Sequence, residues 1–109
     1  MYLNHCQFVG NLVKDPEMKI TPNNKSVTKF TLAVQRDSKD EDAKVDYIPF
    51  VAWNKTAETI NEFAKKGRSL LVFGRLEIDK KSEGADSKYY PTIVVSSFKF
   101  NDSKKKAEE

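Results

Sequence analysis

The stretch Val45–Gly67, VDYIPFVAWNKTAETINEFAKKG, restricts the folds open to this chain more than any other. It runs from an apolar, aromatic segment straight into a helical pattern that closes on a glycine. From Tyr47 to Trp53 the residues alternate between two faces, the period of a strand. Ile48, Phe50 and Ala52 share the face suited to a packed interior. Tyr47, Pro49, Val51 and Trp53 share the other, so two large rings point outward. Rings turned to the outside of a small domain mark a contact surface. In the helix, Thr56 or Asn54 can cap the start, and Ile60, Phe63 and Ala64 form the buried stripe. Lys65 and Lys66 suit the negative end of the helix dipole, and Gly67 supplies a left-handed stop.

The other segments are strand-like. Residues 2–13 read as a first strand with Gly10 as a bulge or bend, broken by Asp15-Pro16. A short extended piece, Glu17–Ile20, leads to the turn Thr21-Pro22-Asn23-Asn24. Residues 26–36 form the second strand, with Phe30, Leu32 and Val34 on one face and Lys29, Thr31, Ala33 and Gln35 on the other. The polar segment 37–44 is a solvated loop. The third strand and helix follow, then a fourth strand over 68–79, a polar loop KKSEGADSK, and a fifth strand over 89–100. Five strands, most with one packed face, and one helix between the third and fourth point to an all-β fold. The layout expected is a five-stranded OB-fold barrel, closed so that edges are covered and plugged at one end by the helix. A ferredoxin-like fold would need a second helix, and the sequence offers none. The domain is expected over 1–100, with 101–109 as a short charged tail.

Composition bounds the function. At 109 residues the chain makes one domain. Its 19 basic and 16 acidic residues leave a net charge of only +3, too weak a lean to establish nucleic-acid binding by itself. A single cysteine, Cys6, excludes an internal disulfide framework and fits a reducing compartment. With no membrane-length apolar run and no signal-peptide pattern, a cytoplasmic location is expected. His5 and Cys6 are adjacent, face opposite sides of a strand and share a metal poorly. The Asp37–Asp42 carboxylates sit on a polar loop that supplies neither fixed geometry nor a general base. No nucleophile–base pair or phosphate-binding glycine loop is present, so neither an enzyme nor a cofactor or metal site is expected.

The ordered pieces FVGNL at 8–12, DPE at 15–17, TPN at 21–23, FTLAV at 30–34, DYIPFVAWNKTAE at 46–58, KKG at 65–67 and GRL at 74–76 carry a further inference. With the Tyr-Pro-Thr start of the last strand, they resemble the DNA-binding domain of the bacterial and phage single-stranded DNA-binding proteins. The resemblance spans residues 1–100 in unbroken order. It implies an OB-fold that binds single-stranded DNA without sequence preference in replication, recombination or repair. It also implies a homo-oligomer, a tetramer ahead of a dimer, built through strand-one pairing and contacts between sheets. The family's stacking aromatics fall on Tyr47 and Trp53, and its basic positions on Lys19, Lys55 and Lys80.

Departures from the family pattern set further expectations. Ser38 and Lys81 stand where further aromatics are common, and Glu77 and Asp79 where strand four often carries arginines. Weaker stacking and a narrower DNA path follow. The chain stops at KKKAEE, without the acidic tail by which cellular members recruit repair partners. Either the chain lacks that recruiting role or it belongs to a phage or mobile-element branch, the second being the reading preferred. A rival reading is an OB-fold primosome-type adaptor working mainly through replication or recombination proteins.

Lys19, Lys29, Arg36, Lys55, Arg75, Lys80 and Lys81 are the candidates for a phosphate track beside Tyr47 and Trp53. Phe73 joins the candidate contacts, although its pairing with Leu71 on the outward face favours a subunit interface over DNA. Sequence-tolerant binding needs these two residue types, because every base has a π-face and every nucleotide a phosphate.

Overall fold

The computed structural model describes residues 1–37 and 44–101. The strands are β1 (Cys6–Leu12), β2 (Glu17–Ile20), β3 (Ser26–Gln35), β4 (Val45–Trp53), β5 (Ser69–Glu83) and β6 (Asp86–Phe100), and the helix is α1 (Asn54–Phe63). Their order in the sheet is β1-β5-β6-β4-β3-β2, and β1 also pairs with β3 through Asn11↔Ala33 and Leu12↔Leu32. The sheet therefore closes on itself as a barrel of β1, β3, β4, β6 and β5, with β2 hairpinned onto β3. Among the described residues only the β4–β6 pairing is parallel. This is the OB-fold arrangement, with α1 between the third and fourth barrel strands.

The inward residues of the alternating strands build the core: Leu32, Phe50, Ala52, Leu70 and Val72 are almost fully buried. Phe30 stacks on Phe50, its partner across β3 and β4, with centroids 5.1 Å apart. Two glycines mark where backbones crowd. A Cβ on Gly10 would lie 2.6 Å from the Ala33 carbonyl oxygen, and one on Gly74 only 2.3 Å from that of Val94. Gly74 adjoins the β-bulge between β5 and β6, as a constriction would require. Gly10 is no bulge, because the β1–β5 register runs through it unbroken. It is where β1 passes from β5 to β3.

The helix departs from its sequence-based reading at both ends. Its N-cap is Trp53, in extended backbone and without a side-chain cap, so neither Asn54 nor Thr56 serves. Asn54 instead adopts a φ of 58°, a left-handed turn that asparagine tolerates and that joins strand to helix without a loop. The buried face is Ala57, Ile60 and Ala64, while Phe63 is 52% exposed. At about 100° per residue those three fall within an arc of about 60°, and Phe63 lies off it. The helix ends at Phe63, short of Lys65, Lys66 and Gly67, because the following amides bond elsewhere. Lys66 N donates to Asp15 Oδ1 at 2.7 Å, and Gly67 N to the Leu12 carbonyl at 2.8 Å. Arg68 Nη1 donates to the Phe63 carbonyl at 3.0 Å, satisfying an end group of the helix. Inside the fold, the buried Thr28 hydroxyl donates to the Ala57 carbonyl at 2.8 Å and fastens α1 to β3.

Three further boundaries shift. Glu17–Ile20 is a paired strand rather than a loose extended piece, which raises the strand count to six. The first strand begins at Cys6 rather than residue 2. Ahead of it, the Asn4 side-chain amide brackets the Leu76 backbone, donating to its carbonyl at 2.7 Å and accepting from its N–H at 2.9 Å. The expected polar loop 80–88 is a long arm: β5 and β6 stay paired out to Glu83↔Asp86, joined by Gly84 and Ala85. Gly84 has a φ of 62° at the first central position, as a tight hairpin turn demands. Ser38, most of the acidic 37–42 segment and residues 102–109 lie outside the described residues. No described helix is long and apolar enough to cross a membrane.

Candidate nucleic-acid interface

The outer face of β4 carries Tyr47, 67% exposed, and Trp53, 42% exposed, as its alternation requires. Six residues of strand separate them by about 20 Å. Between them on β4, Pro49 and Val51 line a groove of about 340 Å³ together with Thr31, Thr92, Lys14 of the β1–β2 connection and Glu17 of β2. Lys29 stands at its edge and also borders two adjoining recesses. One holds Glu17, Lys19 and Val27. The other holds Val51, Trp53, Glu77 and Asp79. The β2–β3–β4 register explains this grouping. Lys19 pairs with Val27 and Val27 with Trp53, so a cation, an apolar spacer and a ring lie in one row. The next row is Glu17, Lys29 and Val51.

The remaining sequence candidates are placed differently. Arg36 is engaged by Asp46, with Nε–Oδ2 at 2.9 Å and Nη2–Oδ1 at 3.0 Å. That hydrogen-bonded pairing holds the Asp46 carboxyl below the ordinary aspartate range and raises the Arg36 guanidinium. Arg75 pairs with Glu77 at 3.0 Å, on the outer face of β5. Lys55 is exposed in the first turn of α1, two residues from Trp53. Lys80 and Lys81 are strand residues on opposite faces of the arm, each over a tyrosine: Lys80 over Tyr89 at 6.0 Å and Lys81 over Tyr90 at 5.4 Å. Phe73 is half-buried on the β1–β5 surface, 6.4 Å from the His5 ring and beside Leu71 and Val9. It borders none of the grooves above.

Sequence reasoning missed Lys14, Thr92, Tyr89 and Tyr90. The tyrosines were visible as an aromatic pair, but the polar run before them masked the arm. Lys14 and Thr92 reach the groove only through tertiary packing. Glu77 and Asp79, singled out as departures, do border the recess that holds Trp53. The assembled surface offers two exposed rings on one strand, with Lys14, Lys19 and Lys29 around the groove and recesses beside them. It can stack flat heterocycles and neutralise a chain of phosphates. Among the described residues no group of three histidine, cysteine or acidic side chains converges to hold a metal.

Residues 3–101 match the single-strand binding protein family. The chain belongs to this family. It is 41% identical over 106 residues to single-stranded DNA-binding protein 3 of Listeria innocua, covering 94% of this chain and 66% of that one. Single-stranded DNA-binding protein 1 of Streptococcus pyogenes is 34% identical over 96 residues, covering 86% of this chain and 74% of its own. The single-stranded DNA-binding protein of Enterococcus faecalis is 34% identical over 110 residues, covering 98% and 58%. The chain thus spans between 58% and 74% of these single-strand binding relatives.

Proposed function

We propose that this protein binds single-stranded DNA without sequence preference, coating and protecting exposed strands during replication, recombination or repair. The observation that carries the reading is the outer face of β4, where Tyr47 and Trp53 stand exposed on either side of a groove lined by Pro49, Val51 and Lys29, with Lys19 in an adjoining recess. Phosphates are captured by the lysines and bases stack on the rings. The role is non-catalytic and cytoplasmic. The adaptor reading has no comparable support, since the relatives above are named for single-stranded DNA.

The working form is a homotetramer. Among the described residues only Asn11 and Leu12 of β1 pair with β3, which leaves Cys6–Gly10 with one backbone edge unpaired. Exposed Val9 stands on this edge strand, with half-buried Leu71 and Phe73 next to it on β5. An unpaired edge next to apolar side chains favours strand addition by a second copy.

Fluorescence anisotropy with labelled oligo-dT and with a duplex of equal length tests the reading. Much tighter binding of the single strand is expected. Equal affinity for the two would overturn it.

A further inference from the structure

β4 and β6 stay paired only at Phe50↔Ile93 and Val51↔Val94. Beyond that point they part, and the barrel wall opens into a cleft of about 270 Å³ whose lining is almost wholly apolar. Cys6, Phe8, Ile48, Leu76 and Ile93 reach it from the barrel interior. Tyr47 flanks its mouth, and Pro49 and Thr92 border both the cleft and the long groove of β4. The cleft is therefore a side opening of the groove, not a separate depression.

The arm adds a charge argument. Residues of β5 alternate faces, so Glu77 and Asp79 share the outer face, while Leu76, Ile78 and Lys80 share the face that continues the cleft. Exposed Tyr89 pairs with Lys80, and Pro91, which lines the cleft, pairs with Ile78. On the outer face a polyanion meets these carboxylates together with Lys81 over Tyr90. On the cleft side it meets apolar surface and Lys80 over Tyr89, with no carboxylate among the described residues of that face from Leu76 to Lys80.

We infer that the opening between β4 and β6 is a pocket for one nucleobase, entered past Tyr47, with the strand continuing along the Leu76–Lys80 face of the arm. The inference rests on the single-strand reading above and refines it. With Thr92 and the Tyr47 hydroxyl at its edge, the almost wholly apolar lining offers too few hydrogen-bond partners to read a base edge, so insertion is sequence-tolerant, but it rewards the thymine methyl group.

Oligo-dT and oligo-dU of equal length differ only by that methyl. Anisotropy titrations are expected to show oligo-dT tighter by about fourfold for each inserted base, the gain from burying one methyl-sized group. Cys6, the sole cysteine, reports on the cleft directly. Saturating oligo-dT is expected to slow its reaction with a thiol reagent, while an abasic oligomer leaves the rate of the free protein. Leu76→Phe, which fills the cleft, is expected to bring the two affinities together while quenching of Trp53 persists. Equal affinities in the unaltered protein, a thiol that reacts freely in the saturated complex, protection by the abasic oligomer, or a preference that survives Leu76→Phe would each overturn the pocket. If neither oligomer binds at all, the single-strand reading fails first and the pocket with it.

Discussion

At the scale of single residues, Tyr47 and Trp53 are exposed rings on the outer face of a strand whose inner face, Phe50 and Ala52, is core. Tyr47→Ala and Trp53→Ala are each expected to weaken oligo-dT binding by about 1–3 kcal/mol, the contribution of a stacked base, with little change in thermal stability. Anisotropy and thermal melts separate the two effects, and loss of stability without loss of affinity would assign the rings to packing. Arg36 presents the opposite case, since Asp46 already satisfies it. The lowered Asp46 carboxyl contributes stability above the ordinary aspartate pKa and loses it as pH falls through the folded value. The raised Arg36 guanidinium contributes below its ordinary value and loses only at extreme alkalinity. Asp46→Asn is therefore expected to flatten part of the acid limb of the stability profile, by a small amount because the pair is exposed. Urea titrations at neutral and acidic pH check it; identical acid limbs in the two proteins would contradict it.

At the scale of elements, the glycines of the barrel make a graded test. Gly74→Ala sets a Cβ against the Val94 backbone, which cannot withdraw as a flexible side chain would. A loss of about 1–3 kcal/mol or more is expected. Gly67 has a φ of 88° but nothing within 4 Å, so Gly67→Ala bears only the left-handed penalty, roughly 1–2 kcal/mol. Urea midpoints should fall further for Gly74→Ala; the reverse order would mean the constriction is misread.

The same elements show what the sequence disclosed. The strand Tyr47–Trp53 and the junction with α1 were legible because apolar alternation there is strong and period-specific. The arm was not. A hairpin with both faces in solvent has no apolar side to betray its period, so KKSEGADSK read as loop. The helix end misled for another reason. Lys65, Lys66 and Gly67 imitate a helix stop, whereas the stop is tertiary, set by Asp15 and Leu12 capturing the amides that follow. In the candidate site, parity disclosed Tyr47 and Trp53. It could not disclose that Asp46 would occupy Arg36 or that Lys14 would lean over the groove.

At the scale of the whole molecule, a net charge of +3 and acidic residues at the Trp53 recess limit how far electrostatics can carry binding. Each neutralised phosphate of a single strand contributes about −0.7 to the slope of log affinity against log salt. Lys19 and Lys29 together then give about −1.4 per subunit, which salt titrations would measure; a flat profile would exclude phosphate capture. Native mass spectrometry is expected to show four copies, with or without oligo-dT, and a persistent monomer would rule out assembly through the free β1 edge. The central claim is that single strands lie across the outer face of β4, and Trp53 is the chain's only tryptophan. Its fluorescence during an oligo-dT titration at low salt tests that claim most directly. Saturable quenching is the expected result, and an unchanged spectrum at saturating oligo-dT would contradict the account.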